Sequence, residues 1–174
     1  DGGTSVFISG NFGTLTMGDT DGALDWALTE ASVGNAGSIE DNETSHIGYL
    51  GAYADGAYDG QVLRYDYSFG DFGIAVSTEM DDTGVRDNGM AIGLRYGMDM
   101  GGATVGFGIG YQTFTARANW WPGNLGGLNV AHPGGMDVDV LGISANIASN
   151  GLSAGVEETN FSIEGISDDL THVG

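Results

Sequence analysis

Val62-Leu-Arg-Tyr-Asp-Tyr-Ser-Phe69 alternates with a period of two: Leu63, Tyr65, Tyr67 and Phe69 fall on one side, Arg64, Asp66 and Ser68 on the other. In an extended strand successive side chains point to opposite faces, whereas a helix would scatter those apolar groups around its circumference. The pattern repeats in the segments that follow. In 72–80, Phe72, Ile74, Val76, Thr78 and Met80 alternate with Gly73, Ala75, Ser77 and Glu79. In 90–99, Met90, Ile92, Leu94, Tyr96 and Met98 alternate with Ala91, Gly93, Arg95, Gly97 and Asp99. In 104–112, Val105, Phe107, Ile109 and Tyr111 stand against Thr104, Gly106, Gly108, Gly110 and Gln112. Each segment approaches the roughly 9 to 11 residues that cross a membrane as a tilted strand.

Weaker alternation flanks these four. Val6, Ile8, Leu15 and Met17 suggest two strands around Phe12-Gly13. Leu141, Ile143, Ala145 and Ile147 suggest another, and Leu152, Ala154 and Val156 a further one beyond the hairpin signal Asn150-Gly151. Eight strands are therefore expected. Their connections alternate in length: short near 11–13, 69–72, 98–103 and 149–151, long over about 19–60, 81–89, 115–137 and 160 onward. Short turns at one end and long loops at the other are the habit of membrane barrels. The second face, rich in Gly, Ala and Ser, suits a wet, crowded lumen, while the large apolar face suits lipid. A soluble sandwich, with the apolar face as its core, is the alternative.

Composition narrows the choice. The 174 residues allow one compact unit and carry a net charge of −20, with no lysine and only Arg64, Arg86, Arg95 and Arg117 as cations. Such a surface repels phosphate, which excludes a general nucleic-acid partner. With no cysteine, neither disulfides nor thiolate metal sites are available. Thirty-three glycines spread through apolar segments disfavour helices by about 1 kcal/mol each relative to alanine. No run reaches the roughly 18 to 20 apolar residues of a spanning helix. No basic stretch with an apolar core opens the chain, so a signal peptide is expected to have been removed or to lie outside it.

Gly10-Asn-Phe-Gly-Thr-Leu-Thr-Met-Gly-Asp19 resembles the turn and strand that lead into the third loop of Gram-negative general porins. The acidic loop after it, then Val62-Leu-Arg-Tyr-Asp-Tyr-Ser-Phe-Gly70 and Phe72-Gly-Ile-Ala-Val-Ser-Thr-Glu79, resembles alphaproteobacterial porins of the Rhodobacter group. The likeness runs through about 1–115 and thins afterwards. It implies an all-β fold, a sixteen-stranded transmembrane antiparallel β-barrel integral to the outer membrane, assembled as a homotrimer, with the third loop folded inside. Two departures stand out. The first connection is a short turn, and the chain stops at Thr171-His-Val-Gly174 without the family's terminal aromatic strand. Residues 1–174 are accordingly expected to be the central part of a single barrel domain, about eight of sixteen strands, with a constriction loop at about 19–60. Alone, such a half would leave edge backbone unpaired in lipid, at several kcal/mol per group.

The implied function is passive diffusion of ions and small polar solutes, without catalysis. The loop holds Asp19, Asp21, Asp25, Glu30, Glu40, Asp41, Glu43, Asp55 and Asp59 and neither lysine nor arginine. Asp19, Asp21, Asp25 and Glu30, nearest the preceding strand, are the candidate acids of a cation-favouring constriction; a solvated surface loop is the plainer reading. Arg64 and Arg95 fall on the lumen face and are candidates for its basic wall, although Arg95 suits a salt bridge tethering the loop equally well. Charges 10 Å apart interact by about 0.4 kcal/mol in water and about 1.7 at an effective dielectric of 20, enough for a transverse field. Gly93, Gly97, Gly106, Gly108 and Gly110 leave the wall nearly bare, either to seat the loop or to let the sheet curve.

No cofactor is required. Calcium is admissible at the acidic loop, but Asp19-Thr-Asp-Gly-Ala-Leu-Asp25 lacks the spacing and final Glu of an EF-hand. His46, His132 and His172 are too scattered for a metal or catalytic cluster. Trp120-Trp121-Pro122 at the loop side and Phe69 and Phe72 at the turn side read as interfacial anchors. Two rivals remain. An outer-membrane barrel enzyme would need a nucleophile, histidine and acid at one loop end. A secreted calcium-dependent adhesin would show Gly-Gly-x-Gly-x-Asp repeats, which are absent.

Overall fold

A computed structural model describes residues 4–29, 61–81, 84–116 and 134–165, together with the backbone of 170–173. The elements run β1 (Ser5–Gly10), β2 (Gly13–Gly18), α1 (Ala23–Ala27), β3 (Val62–Phe69), β4 (Phe72–Glu79), β5 (Gly89–Asp99), β6 (Ala103–Thr115), β7 (Asp137–Ser149), β8 (Leu152–Ile163) and β9 (Leu170–Val173). The nine strands form one sheet in strict chain order, every neighbour antiparallel. A Greek-key sandwich needs a strand that leaves its neighbour and returns elsewhere; none is found among the described residues. No described helix is long and apolar enough to cross a membrane. The fold is an all-β antiparallel barrel wall.

Two expectations need correction. The region from 160 onward is not all loop: β8 continues to Ile163, and β9 follows at 170–173. The described residues thus hold the eight expected strands and a short ninth. The ninth spans only four residues, too few for alternation to register. The loop after β2 also contains a five-residue helix that period-two analysis could not show.

Connections at 11–12, 70–71, 100–102 and 150–151 are tight, and those at the opposite end are longer. At Asn150-Gly151 both residues have positive φ, 51° and 79°, the geometry that twists a two-residue hairpin in the sense of its strands.

Helix α1 lies on one face of the sheet, the inner face. The outer face carries the apolar side chains: Leu63, Tyr65, Val76, Ile92, Leu94, Phe107, Ile109, Leu141 and Ile143 are each 37–51% exposed. Soluble monomers rarely leave so continuous an apolar surface bare; lipid covers it in a barrel. Phe69, Phe72, Tyr96 and Phe107 stand opposite one another on successive strands near the turns. Their rings pack at 5.8 Å (Phe69–Phe72) and 4.6 Å (Phe72–Tyr96), as an interfacial aromatic row.

Toward the loop end of β6–β8 the phase inverts. Phe114, Val138, Val140, Phe161 and Ile163 point inward and are buried, joined by Leu24 and Leu28 from the helix segment. On the outer face at this level Tyr111 donates to Asp139 at 2.5 Å and Thr115 to Asp137 at 3.2 Å. The outside becomes polar as the inside becomes apolar, as expected where a wall rises out of lipid and packs against its own loop. On β8 the outer face turns polar sooner: Glu158 is exposed directly opposite Ile143.

Candidate functional site

The inner face of β4–β7 is floored with small residues, and residues 21–29 lie directly upon it. Ala23, Leu24, Ala27 and Leu28 are buried, a stripe of helical spacing turned to the wall. A five-residue helix is unstable alone, and Gly22 provides no side-chain cap. The wall holds it instead. Ala23 N–H donates to Ser77 Oγ at 2.8 Å, and Thr29 N–H donates to Ser144 Oγ at 2.9 Å. Two wall hydroxyls thus grip the segment at its two ends.

The glycines explain how backbone approaches backbone. A Cβ on Gly93 would overlap the Ala23 carbonyl oxygen, and one on Gly108 would overlap that of Ala27. A Cβ on Gly110 would come within 2.6 Å of Leu24 Cδ1, and one on Gly142 within 2.5 Å of Leu28 Cδ1. At these positions glycine is the seat of the loop. Gly97 has no neighbour to meet, and Gly106 faces the Asn146 side chain, so neither serves that purpose.

Both inner-face arginines hold the loop. Arg64 donates to the Asp21 carbonyl at 2.7 Å and to Asp66 Oδ1 at 3.3 Å, and lies 3.9 Å from Asp21 Oδ2. Asp21 is 65% exposed, so its ion pair contributes little; the carbonyl bond is the firmer link. The Arg95 guanidinium stacks 3.7 Å from the centre of the Trp26 ring, and its NH1 lies 3.5 Å from the Trp26 carbonyl. Arg95 therefore tethers the loop through an aromatic ring, not through a carboxylate. Arg86 pairs with Asp81 at 3.4 Å, outside this site. Among the described residues every arginine is engaged; Arg117 lies outside them.

Of the candidate acids, Asp21 approaches Arg64, Asp19 is exposed beside β2, and Asp25 sits partly exposed in the first turn of α1. Glu30 lies outside the described residues, as do Trp120-Trp121-Pro122, His46 and His132. Among the described residues no three carboxylates or imidazoles converge as a metal site. Toward the turns, the wall and the helix segment enclose a recess of 460 Å³, bordered by Trp26, Thr29, Ser68, Asp71, Arg95 and Asn146. Trp26 and Ser144 carry no functional signal in the sequence, and alternation there predicts only that Ser77 faces the lumen. Only Ala23-Leu24 and Ala27-Leu28, two apolar pairs four residues apart, signalled a docked turn.

A continuous up-and-down sheet, apolar outside and with residues 21–29 seated on its inner face, is a channel wall. A family model described as Gram-negative porin matches residues 1–174. The chain belongs to the Gram-negative porin family. Comparisons with curated proteins and with solved structures give no match. As a porin, the chain is part of an outer-membrane channel, and the two faces of its sheet meet lipid and the solute path.

Proposed function

We propose that this porin forms a water-filled pathway for passive diffusion of ions and small hydrophilic solutes, and that the pathway prefers cations. One observation carries the reading: residues 21–29, which open the loop after β2, are seated on the inner wall, and both inner-face arginines of the described residues are engaged in holding them. The exposed carboxylates of Asp19 and Asp21 then face a wall whose positive charges are already occupied. Asp25 and Glu30 complete the acidic set, and residues 19–60 act as the constriction. The likeness to Rhodobacter-group porins supports sixteen strands and a homotrimer, in which further strands pair the edges at β1 and β9 that lipid would not tolerate open. Calcium among the loop acids is compatible with this reading and is not required by it.

The test is the reversal potential of the reconstituted full-length protein under a salt gradient. Replacing Asp19, Asp21, Asp25 and Glu30 by their amides removes charge at nearly constant volume and lowers the cation preference. In the parent that preference weakens at high salt, because the Debye length shrinks from about 10 Å at 0.1 M to about 3 Å at 1 M. An unchanged reversal potential in the quadruple variant would show that these acids lie off the permeation path.

A further inference from the structure

Arg95 stands between two glycines in register, Gly73 on β4 and Gly108 on β6. An arginine with bare neighbours on both sides can lie along the wall instead of reaching across the lumen. Here it does so over Gly73, where an added Cβ would come within 3.2 Å of Arg95 Cγ and Nε and 2.8 Å of the Trp26 ring edge. The Trp26 ring covers the guanidinium face at 3.7 Å. The contact to the Trp26 carbonyl, at 3.5 Å, is long, so the stack is the main hold. Trp26 therefore decides where one positive charge of the lumen wall resides.

We propose that Trp26 is a positioning residue for ion selectivity: by stacking on Arg95 it keeps that cation folded against the wall and out of the ion path. The inference rests on the diffusion-channel reading and adds a selectivity determinant that carries no charge itself. It also couples two properties. A loop that leaves its glycine seat widens the path and, in the same movement, frees Arg95 to extend into it, so a wider pore is a less cation-selective one.

The experiment measures the cation-to-anion permeability ratio of the full-length protein in planar bilayers under a potassium chloride gradient. Trp26→Ala alters no formal charge. The ratio falls by about 1.5- to 2-fold, because a unit charge moved from about 16 to about 10 Å from the path changes each ion's local concentration about 1.3-fold in water. Arg95→Lys retains the charge but not the planar group that stacks, and lowers the ratio in the same direction. It supplies the test if Trp26→Ala fails to assemble. In an Arg95→Gln background, adding Trp26→Ala leaves the ratio where Arg95→Gln alone puts it, since no cation remains to be released. Channels whose ratio is the same in parent, Trp26→Ala and Arg95→Lys would overturn this inference alone. A parent protein that forms no ohmic channel would overturn the diffusion reading beneath it.

Discussion

The two halves of strands β6–β8 obey opposite rules. Near the turns, Phe107, Ile109, Ile143 and Val156 point outward, and Gly106, Gly108, Gly142 and Ser144 point inward. Near the loops, Asp137, Asp139 and Ser162 point outward, while Phe114, Val138, Val140, Phe161 and Ile163 form a buried cluster inside. The backbone is the same ladder throughout. What changes is the surroundings: lipid outside and a closely seated helix inside at one level, water outside and a small core at the other. Which face of a barrel strand is apolar reports the environment at that height, and the height of the switch marks the edge of the membrane.

The largest effect should come from the upper half. Phe161 is fully buried, and Phe161→Ala should destabilise the protein by about 3–5 kcal/mol in denaturant unfolding from detergent micelles. Phe107→Ala on the lower outer face should cost less, because lipid or detergent fills the gap that a packed core cannot. Equal losses would mean that the two halves are not packed differently.

The second comparison stays on one strand. Ile109 and Thr113 share the outer face of β6. Ile109→Arg should cost about 2–4 kcal/mol and Thr113→Arg about 0–1, since a charge is penalised according to its depth in the bilayer. Similar costs would place the membrane boundary elsewhere.

The smallest effect concerns the loop seat. Gly93→Val should cost about 1–3 kcal/mol through overpacking against the Ala23 carbonyl, and should raise single-channel conductance by displacing α1. Gly97→Val, with no atom within 4 Å of its Cβ, should do neither. Matching conductances in the two variants would detach the helix segment from the constriction.

The same comparison explains what was legible in the sequence. Strands β3–β5 and the lower part of β6 keep one phase throughout, so their alternation declared both strand and facing. At Val140-Leu141 the phase breaks, and the odd-numbered Phe161 and Ile163 break with the even-numbered apolar residues that precede them on β8. A single break reads as the end of a strand, which is why the region after 160 looked like loop. It becomes interpretable only when the inner faces of β6, β7 and β8 are seen to turn apolar together, with Phe114, Val138 and Ile163 opposite one another. The glycine seat was half legible: Gly93, Gly108 and Gly110 touch the loop, Gly97 and Gly106 do not, and spacing alone could not separate them. Helix α1 has five residues and no side-chain cap, so the wall makes it and local sequence scarcely hints at it. The partner of Arg95 was beyond reach altogether, since Trp26 lies sixty-nine residues away along the chain.

The central claim is that this sheet is a membrane wall whose apolar face follows its surroundings. The native chain has no cysteine, so single cysteines along β7 test it directly, labelled in the intact membrane with a charged, impermeant maleimide and with a lipid-soluble one. Cysteine at Asp139 should react with the charged reagent, at Leu141 and Ile143 only with the lipid-soluble one, and at the buried Val138 and Val140 slowly with both. A cysteine at Ile143 that the charged reagent modifies as readily as one at Asp139 would contradict the account.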